Sequence, residues 1–191
     1  MINQSAQQLR LGLQRAACSA ALIALLPLAG HAADSDKRYA LERSGFLQMK
    51  VPAGWRDEVD ATTKPPVISF RPAEGQPFLI SVTPAQAIEG SRVPSRKKLR
   101  EDVAQMAAAI RHFSIEGDKI KLKEFAGSSG PGFEFFATDS APAAGEFKYM
   151  TRGKLNVGDV SVTFTILTND GQENVIRAAQ ATLQGARRVA R

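Results

Sequence analysis

Between Glu146 and Thr168 the chain reads EFKYMTRGKLNVGDVSVTFTILT, two runs of strict period-two alternation around a glycine-containing turn. Phe147, Tyr149, Thr151 and Leu155 alternate with Lys148, Met150, Arg152 and Lys154; after NVGD, Val160, Val162, Phe164 and Ile166 alternate with Ser161, Thr163 and Thr165. A helix would scatter each set around its circumference, whereas a β-hairpin gathers it on one face. With Val157 and Gly158 as the loop, Leu155 would face Val160, Gly153 would face Val162, Thr151 would face Phe164 and Tyr149 would face Ile166. Both apolar sets then share a face, and a slip of one residue would destroy that. The other face carries Lys148, Arg152 and Lys154.

A hairpin with one apolar face needs other elements to cover it. Leu47, Met49 and Val51 alternate with Gln48 and Lys50 and read as a strand that ends at Pro52, before Trp55. This lone Trp is expected to close the core, by virtue of its large apolar area, rather than to stack on a ligand. VISFRP and PFLISVTP read as two further strands joined by a turn at Gly75. IEGDKIKLKEF, with Ile120 and Leu122 inward and Lys119, Lys121 and Lys123 outward, and GFEFFATD read as later strands, separated by GSSGPG. That glycine-rich stretch lacks the Gly-Lys-Ser/Thr and following helix of a phosphate loop, so it reads as turn punctuation.

Two segments have helical period instead. Ser95 is a suitable cap for RKKLREDVAQMAAAIRH, in which Leu99, Val103, Met106, Ala107 and Ile110 form one apolar stripe. Arg96, Lys97, Lys98 and Arg100 crowd the end where a helix prefers anions, which reads as a solvated cluster more readily than as a partner site. Toward the C-terminus, Asp170 and Glu173 resemble a capping box ahead of Val175, Ile176, Ala179 and Leu183, and Gly185 ends the helix. Residues 187–191 form a short basic tail.

The first 32 residues have the layout of a secretory signal peptide: Arg10 and Arg15 without acids, an uncharged apolar run from Ala16 to Ala29, then GHAAD. Fourteen residues of helix span about 21 Å, short of the roughly 30 Å hydrocarbon core, so a permanent transmembrane anchor is not expected. Cleavage after Ala32 puts Gly30 and Ala32 at the small-residue positions; cleavage after Ala33 is the alternative. Cys18 precedes most of the apolar run and follows Arg-Ala-Ala, which does not fit a lipid-attachment site.

Processing at Ala32 removes two arginines and no acid, and the net charge of +6 falls to +4. It also removes Cys18 and His31, leaving His112 as the one histidine and no cysteine. Disulfides, thiol catalysis and Cys/His zinc sites are then excluded. Residues 33–45 are charged and non-periodic and are expected to be a flexible lead-in, with Tyr39 and Leu41 touching the domain. Residues 46–186 are expected to form a single domain, large enough for a core without covalent staples.

FLQMKVPAGW, VISFRP with FLISVTP, the intervening helix, GFEFFATD, FKYMTRG with VSVTFTILT, and the closing helix together resemble the PsbP/Mog-type superfamily, whose bacterial members include DcrB-like exported envelope proteins. The resemblance implies an α+β fold, a mainly antiparallel sheet sandwiched by two long helices (α/β/α), and service as a protein-binding or accessory module. Photosystem-type members imply metal or chloride duties, but no ligand cluster here matches one, and no cofactor is expected.

The functional expectation is an exported, periplasmic or secreted, non-enzymatic protein. No GxSxG accompanies His112, which sits at a helix end where an imidazolium is favoured for structural reasons. Glu134, Asp139 and Glu146 are carboxylates whose separation only the fold decides. The expected partner is an envelope protein; the alternative is an anionic polymer or lipid headgroup held by Lys148, Arg152 and Lys154. That row could be extended by Lys119, Lys121 and Lys123 if their strand is a neighbour. A solvated sheet face is the plainer account of the same charges. Nucleic acid is not expected, since no aromatic row interleaves the charges.

Overall fold

The computed structural model describes residues 34–88 and 92–191; the expected signal peptide, residues 1–32, and its cleavage point lie outside the described residues. Five strands come first among these: β1 (Ser35–Ala40), β2 (Phe46–Val51), β3 (Trp55–Asp60), β4 (Val67–Pro72) and β5 (Leu79–Gln86). Then follow α1 (Arg96–Ile110), β6 (Leu122–Gly127), β7 (Gly130–Thr138), β8 (Tyr149–Val157), β9 (Val160–Thr168), α2 (Glu173–Gln184) and β10 (Arg187–Val189). The fold is α+β and its sheets are antiparallel throughout. Strands β3-β4-β5-β9-β8-β7-β6 form one seven-stranded sheet, and β1-β2-β10 form a smaller one.

The β8–β9 hairpin lies in the middle of the large sheet, and its alternation survives in the structure. Leu155, Val157, Val160, Val162, Phe164 and Ile166 are each at most 1% exposed. The register differs from the expected one by two residues: Val157 pairs with Val160, Leu155 with Val162, Gly153 with Phe164 and Thr151 with Ile166. The turn is Gly158–Asp159 rather than Val157–Gly158, with Gly158 at φ +62°, a conformation that costs glycine little. Since side chains repeat every two residues, this shift changes every partner and leaves every face intact.

The apolar face of the large sheet packs against the small sheet and α2. Leu47, Met49 and Val51 of β2, Ile68 and Phe70 of β4, Ile80 and Val82 of β5, and Ala179 and Leu183 of α2 all join the hairpin in one core. Trp55 lies against this core as expected, 6.0 Å from the Phe70 ring and 5.2 Å from that of Phe78. On the other face α1 lies over β6, β7 and β8, sealing Leu99, Val103 and Ala107 against Phe133, Phe135 and Ala137. Ser95 caps α1 by accepting from Lys98 N at 3.2 Å.

Three expectations need correction. Residues 33–45 are not merely a lead-in: Ser35–Ala40 is a strand paired along its length with β2. Tyr39 and Leu41 make the contact expected of them, each 5% exposed, and the Tyr39 hydroxyl donates to Asp57 at 3.0 Å. The basic tail is likewise a strand, with Arg187, Arg188 and Val189 opposite Gln48, Leu47 and Phe46. Asp170 and Glu173 do not form a capping box; Gln172 is the residue ahead of α2, and Asp170 instead accepts from Lys148 and from the Tyr149 hydroxyl. The Gln172 amide is spent on the chain, donating to Pro77 O at 3.1 Å and accepting from Asn169 N at 2.7 Å.

Candidate binding surface

Strand β8 presents Met150, Arg152 and Lys154 on the face that carries α1, with Lys148 just ahead of the strand. The sequence offers these cations as an open row. The tertiary structure breaks that row up. Lys154 lies at the edge of α1, its ammonium 2.9 Å from Asp102, with both side chains less than one fifth exposed. Lys98, one turn earlier on α1, reaches the same carboxylate at 2.9 Å. Hydrogen bonding from Lys154, reinforced by Lys98, holds the Asp102 carboxyl below the usual carboxylate range against the opposing effect of burial. Lys148 pairs with Asp170 at 2.9 Å and lies 5.1 Å from the Tyr149 ring centre. Its pKa is raised, first by the bond to Asp170 and then by Tyr149.

Arg152 is different. Its Nε is sealed from solvent and has no hydrogen-bond partner among the described residues. Its cross-strand neighbours are Phe135 on β7 and Thr165 on β9. The expected extension through Lys119, Lys121 and Lys123 is absent, because β7 separates β6 from β8. Lys119 lies in a 3-10 turn ahead of β6, and Lys123 pairs at 3.5 Å with Glu134, which faces α2 through a 2.7 Å bond from Gln180. The other two carboxylates noted in the sequence serve local turns: Asp139 accepts from Ala141 N and Glu146 from Ala143 N.

Beyond the end of α1 a cleft opens that the sequence did not announce. Ile110, Phe113, Ala137, Phe147, Met150 and Leu167 supply its apolar lining, and Thr138, Asp139 and Lys148 its polar rim. Phe113 is 70% and Ile115 68% exposed, beside this opening. They are not loose. Ile115 N donates to Thr138 O at 2.9 Å, Ser140 N donates to Phe113 O at 2.9 Å, and Glu116 accepts from both the amide and the hydroxyl of Thr138. His112 sits on the same 3-10 turn, exposed, and accepts from Arg111 Nε at 3.3 Å. The available sequence signal was the pair of large apolar residues Phe113 and Ile115, directly after the helical stripe ends at Ile110.

No protein-family model matches this chain, and no curated protein matches it in sequence. In three dimensions it is similar to the solution structure of cyanobacterial PsbP (CyanoP) from Synechocystis sp. PCC 6803, with a TM-score of 0.51 over 83% of this chain and 95% of that one. The chain has a PsbP-like fold. At 12% identity the likeness reaches the fold and stops there. Within this fold α1 packs over β6, β7 and β8, and the cleft opens just past its last turn, at Ile110 and Phe113.

Proposed function

We propose that this chain is an exported, non-enzymatic accessory module of the cell envelope that docks a partner protein at the cleft beyond α1. The observation that carries this reading is the exposure of Phe113 and Ile115 on a hydrogen-bonded frame beside an apolar lining. Large apolar side chains carried on a hydrogen-bonded backbone cost no backbone ordering on binding, and such groups dominate interface energetics. The chemistry suits a segment that inserts an apolar side chain between Phe113 and Phe147 and meets Asp139 and Lys148 at the rim. Export is supported by the Arg10 to Ala33 layout, and the non-enzymatic reading by His112, whose hydrogen bond is to Arg111 rather than to a serine or carboxylate.

The test is capture from envelope extracts by the processed protein, with photo-crosslinkers at positions 113 and 115, beside Phe113→Asp and Ile115→Asp. Both variants should fold and lose the captured partner. Capture that survives both substitutions would overturn the docking surface. Intact mass of the exported protein should begin at Ala33, or at Asp34 under the alternative cleavage. A retained N-terminus or a lipid adduct on Cys18 would overturn the export reading.

A further inference from the structure

We propose that the half of the large sheet beside α1, which no helix among the described residues covers, is a binding site for an acidic saccharide, with Arg152 taking the oxyanion and a row of hydroxyls taking the sugar. This site adjoins the apolar cleft along the same sheet face, past Met150 and Leu167, but uses other side chains and does not depend on the docking reading.

The register assembles it. On the face that carries α1, Arg152 stands opposite Thr165, Thr165 opposite Ser81, and Ser81 opposite Ser69. One pleat along, Lys154 stands opposite Thr163, and Thr163 opposite Thr83. Strands lie about 4.8 Å apart, so five hydroxyls tile a patch roughly 10 Å by 7 Å. The side chains of Ser69, Ser81, Thr83, Thr163 and Thr165 are all partly exposed. Core packing uses the opposite faces of these same strands, through Ile68, Phe70, Ile80, Val82, Val162, Phe164 and Ile166. A row of short polar side chains in the middle of a sheet contributes little to that core.

Arg152 supplies the charge. Its guanidinium has five N–H donors, and the sealed Nε has no acceptor among the described residues. Burying that donor unmet is costly, and the guanidinium has no carboxylate of its own among the described residues, so an oxyanion would be held through its remaining N–H donors. The two neighbouring lysines already have carboxylates, Asp102 for Lys154 and Asp170 for Lys148. Arg152 is therefore the unmatched cation of β8. On its own row the first carboxylate is Glu58, four strands away on β3.

Shape selects the class of ligand. A helix with its side chains is about 10–12 Å across, so α1, which packs on β8, stands as a wall along one side of the patch. A planar bilayer would meet the helix before it reached the guanidinium. A sugar chain is narrow enough to lie in the step, and its hydroxyls match side chains that both donate and accept. A carboxylate, sulfate or phosphate on one unit would reach Arg152.

Calorimetry on the processed, full domain decides the matter, using a hexuronate oligosaccharide, a neutral oligosaccharide of equal length, inorganic phosphate, and vesicles rich in anionic phospholipid. The hexuronate should bind, the neutral chain should bind at least about tenfold more weakly, and binding should fall with added salt. Arg152→Gln should reduce affinity about tenfold or more, Arg152→Lys should recover part of it, and Ser81→Ala should weaken it without altering the thermal midpoint. The Ser81 variant keeps the test open if Arg152→Gln fails to fold. Equal binding of charged and neutral chains, phosphate binding without saccharide binding, vesicle binding alone, or affinity indifferent to Arg152→Lys and Ser81→Ala would each overturn the proposal.

Discussion

The Lys154 ammonium lies 2.9 Å from the Asp102 carboxylate, a contact across 52 residues of sequence that ties the middle of α1 to the central hairpin. Both side chains are largely covered, so neither partner can turn to water when the other is removed. Asp102→Asn should destabilise the protein by about 1–3 kcal/mol, between the values typical of exposed and of buried pairs. The pH dependence has a definite sign. The folded Asp102 pKa lies below its unfolded value of about 3.9, so the pair's contribution is present above that value and is lost as pH falls through the folded one. Denaturant melts of both proteins should differ by a constant amount above about pH 5 and converge under acid.

Charge reversal along β8 should be uneven. Lys154→Glu sets a second carboxylate against Asp102 in a poorly solvated place and should cost more than about 2 kcal/mol. Lys148→Glu also faces a carboxylate, Asp170, but in an exposed, well-screened position, and should lower the thermal midpoint less than Lys154→Glu does. Thermal midpoints of the single variants check this. Equal, small losses would mean that Lys154 faces solvent after all.

The two faces of β9 should respond differently to truncation. Phe164, 1% exposed, sits in the core with its ring 6.2 Å from that of Phe125, and Phe164→Ala should cost about 3–5 kcal/mol. Its neighbour Thr163 lies on the uncovered face, and Thr163→Ala should change stability by no more than about 0.5 kcal/mol. Urea unfolding of the pair measures the contrast. Comparable losses would place cover over both faces of the hairpin.

Gly153 should not tolerate even a methyl group. A Cβ there would lie 2.3 Å from Phe133 O and 2.7 Å from the Phe164 ring, so strand and ring would both have to move. Gly153→Ala should cost about 1–3 kcal/mol through overpacking, although alanine is ordinarily harmless in place of a strand glycine. Gly54 has nothing near its hypothetical Cβ, and Gly54→Ala supplies the control in the same melt.

Period and punctuation made much of this molecule legible in one dimension. The alternation from Tyr149 to Ile166 dictates strands and says which side chains share a face, because that information is local and repeats every two residues. The stripe from Leu99 to Ile110 dictates a helix for the same reason, and Ser95 marks its start. Elements without such periodicity were illegible. SDKRYA and RRV carry no alternating apolar signal, and they become strands because β2 offers them both its edges.

What covers a face is a different kind of information. Lys148, Arg152 and Lys154 look equivalent in the sequence, spaced on one face of one strand. Only the path of α1 makes them unlike: it brings Asp102 to Lys154 and leaves Arg152 without a partner among the described residues, while Asp170, ahead of α2, reaches Lys148. The exact turn at Gly158–Asp159 was also decided late, since a shift of two residues preserves every face and is invisible to hydrophobic pattern. Periodicity fixes which way a side chain points. Contacts between residues far apart in the chain fix what it meets, and both proposed binding surfaces are of that second kind.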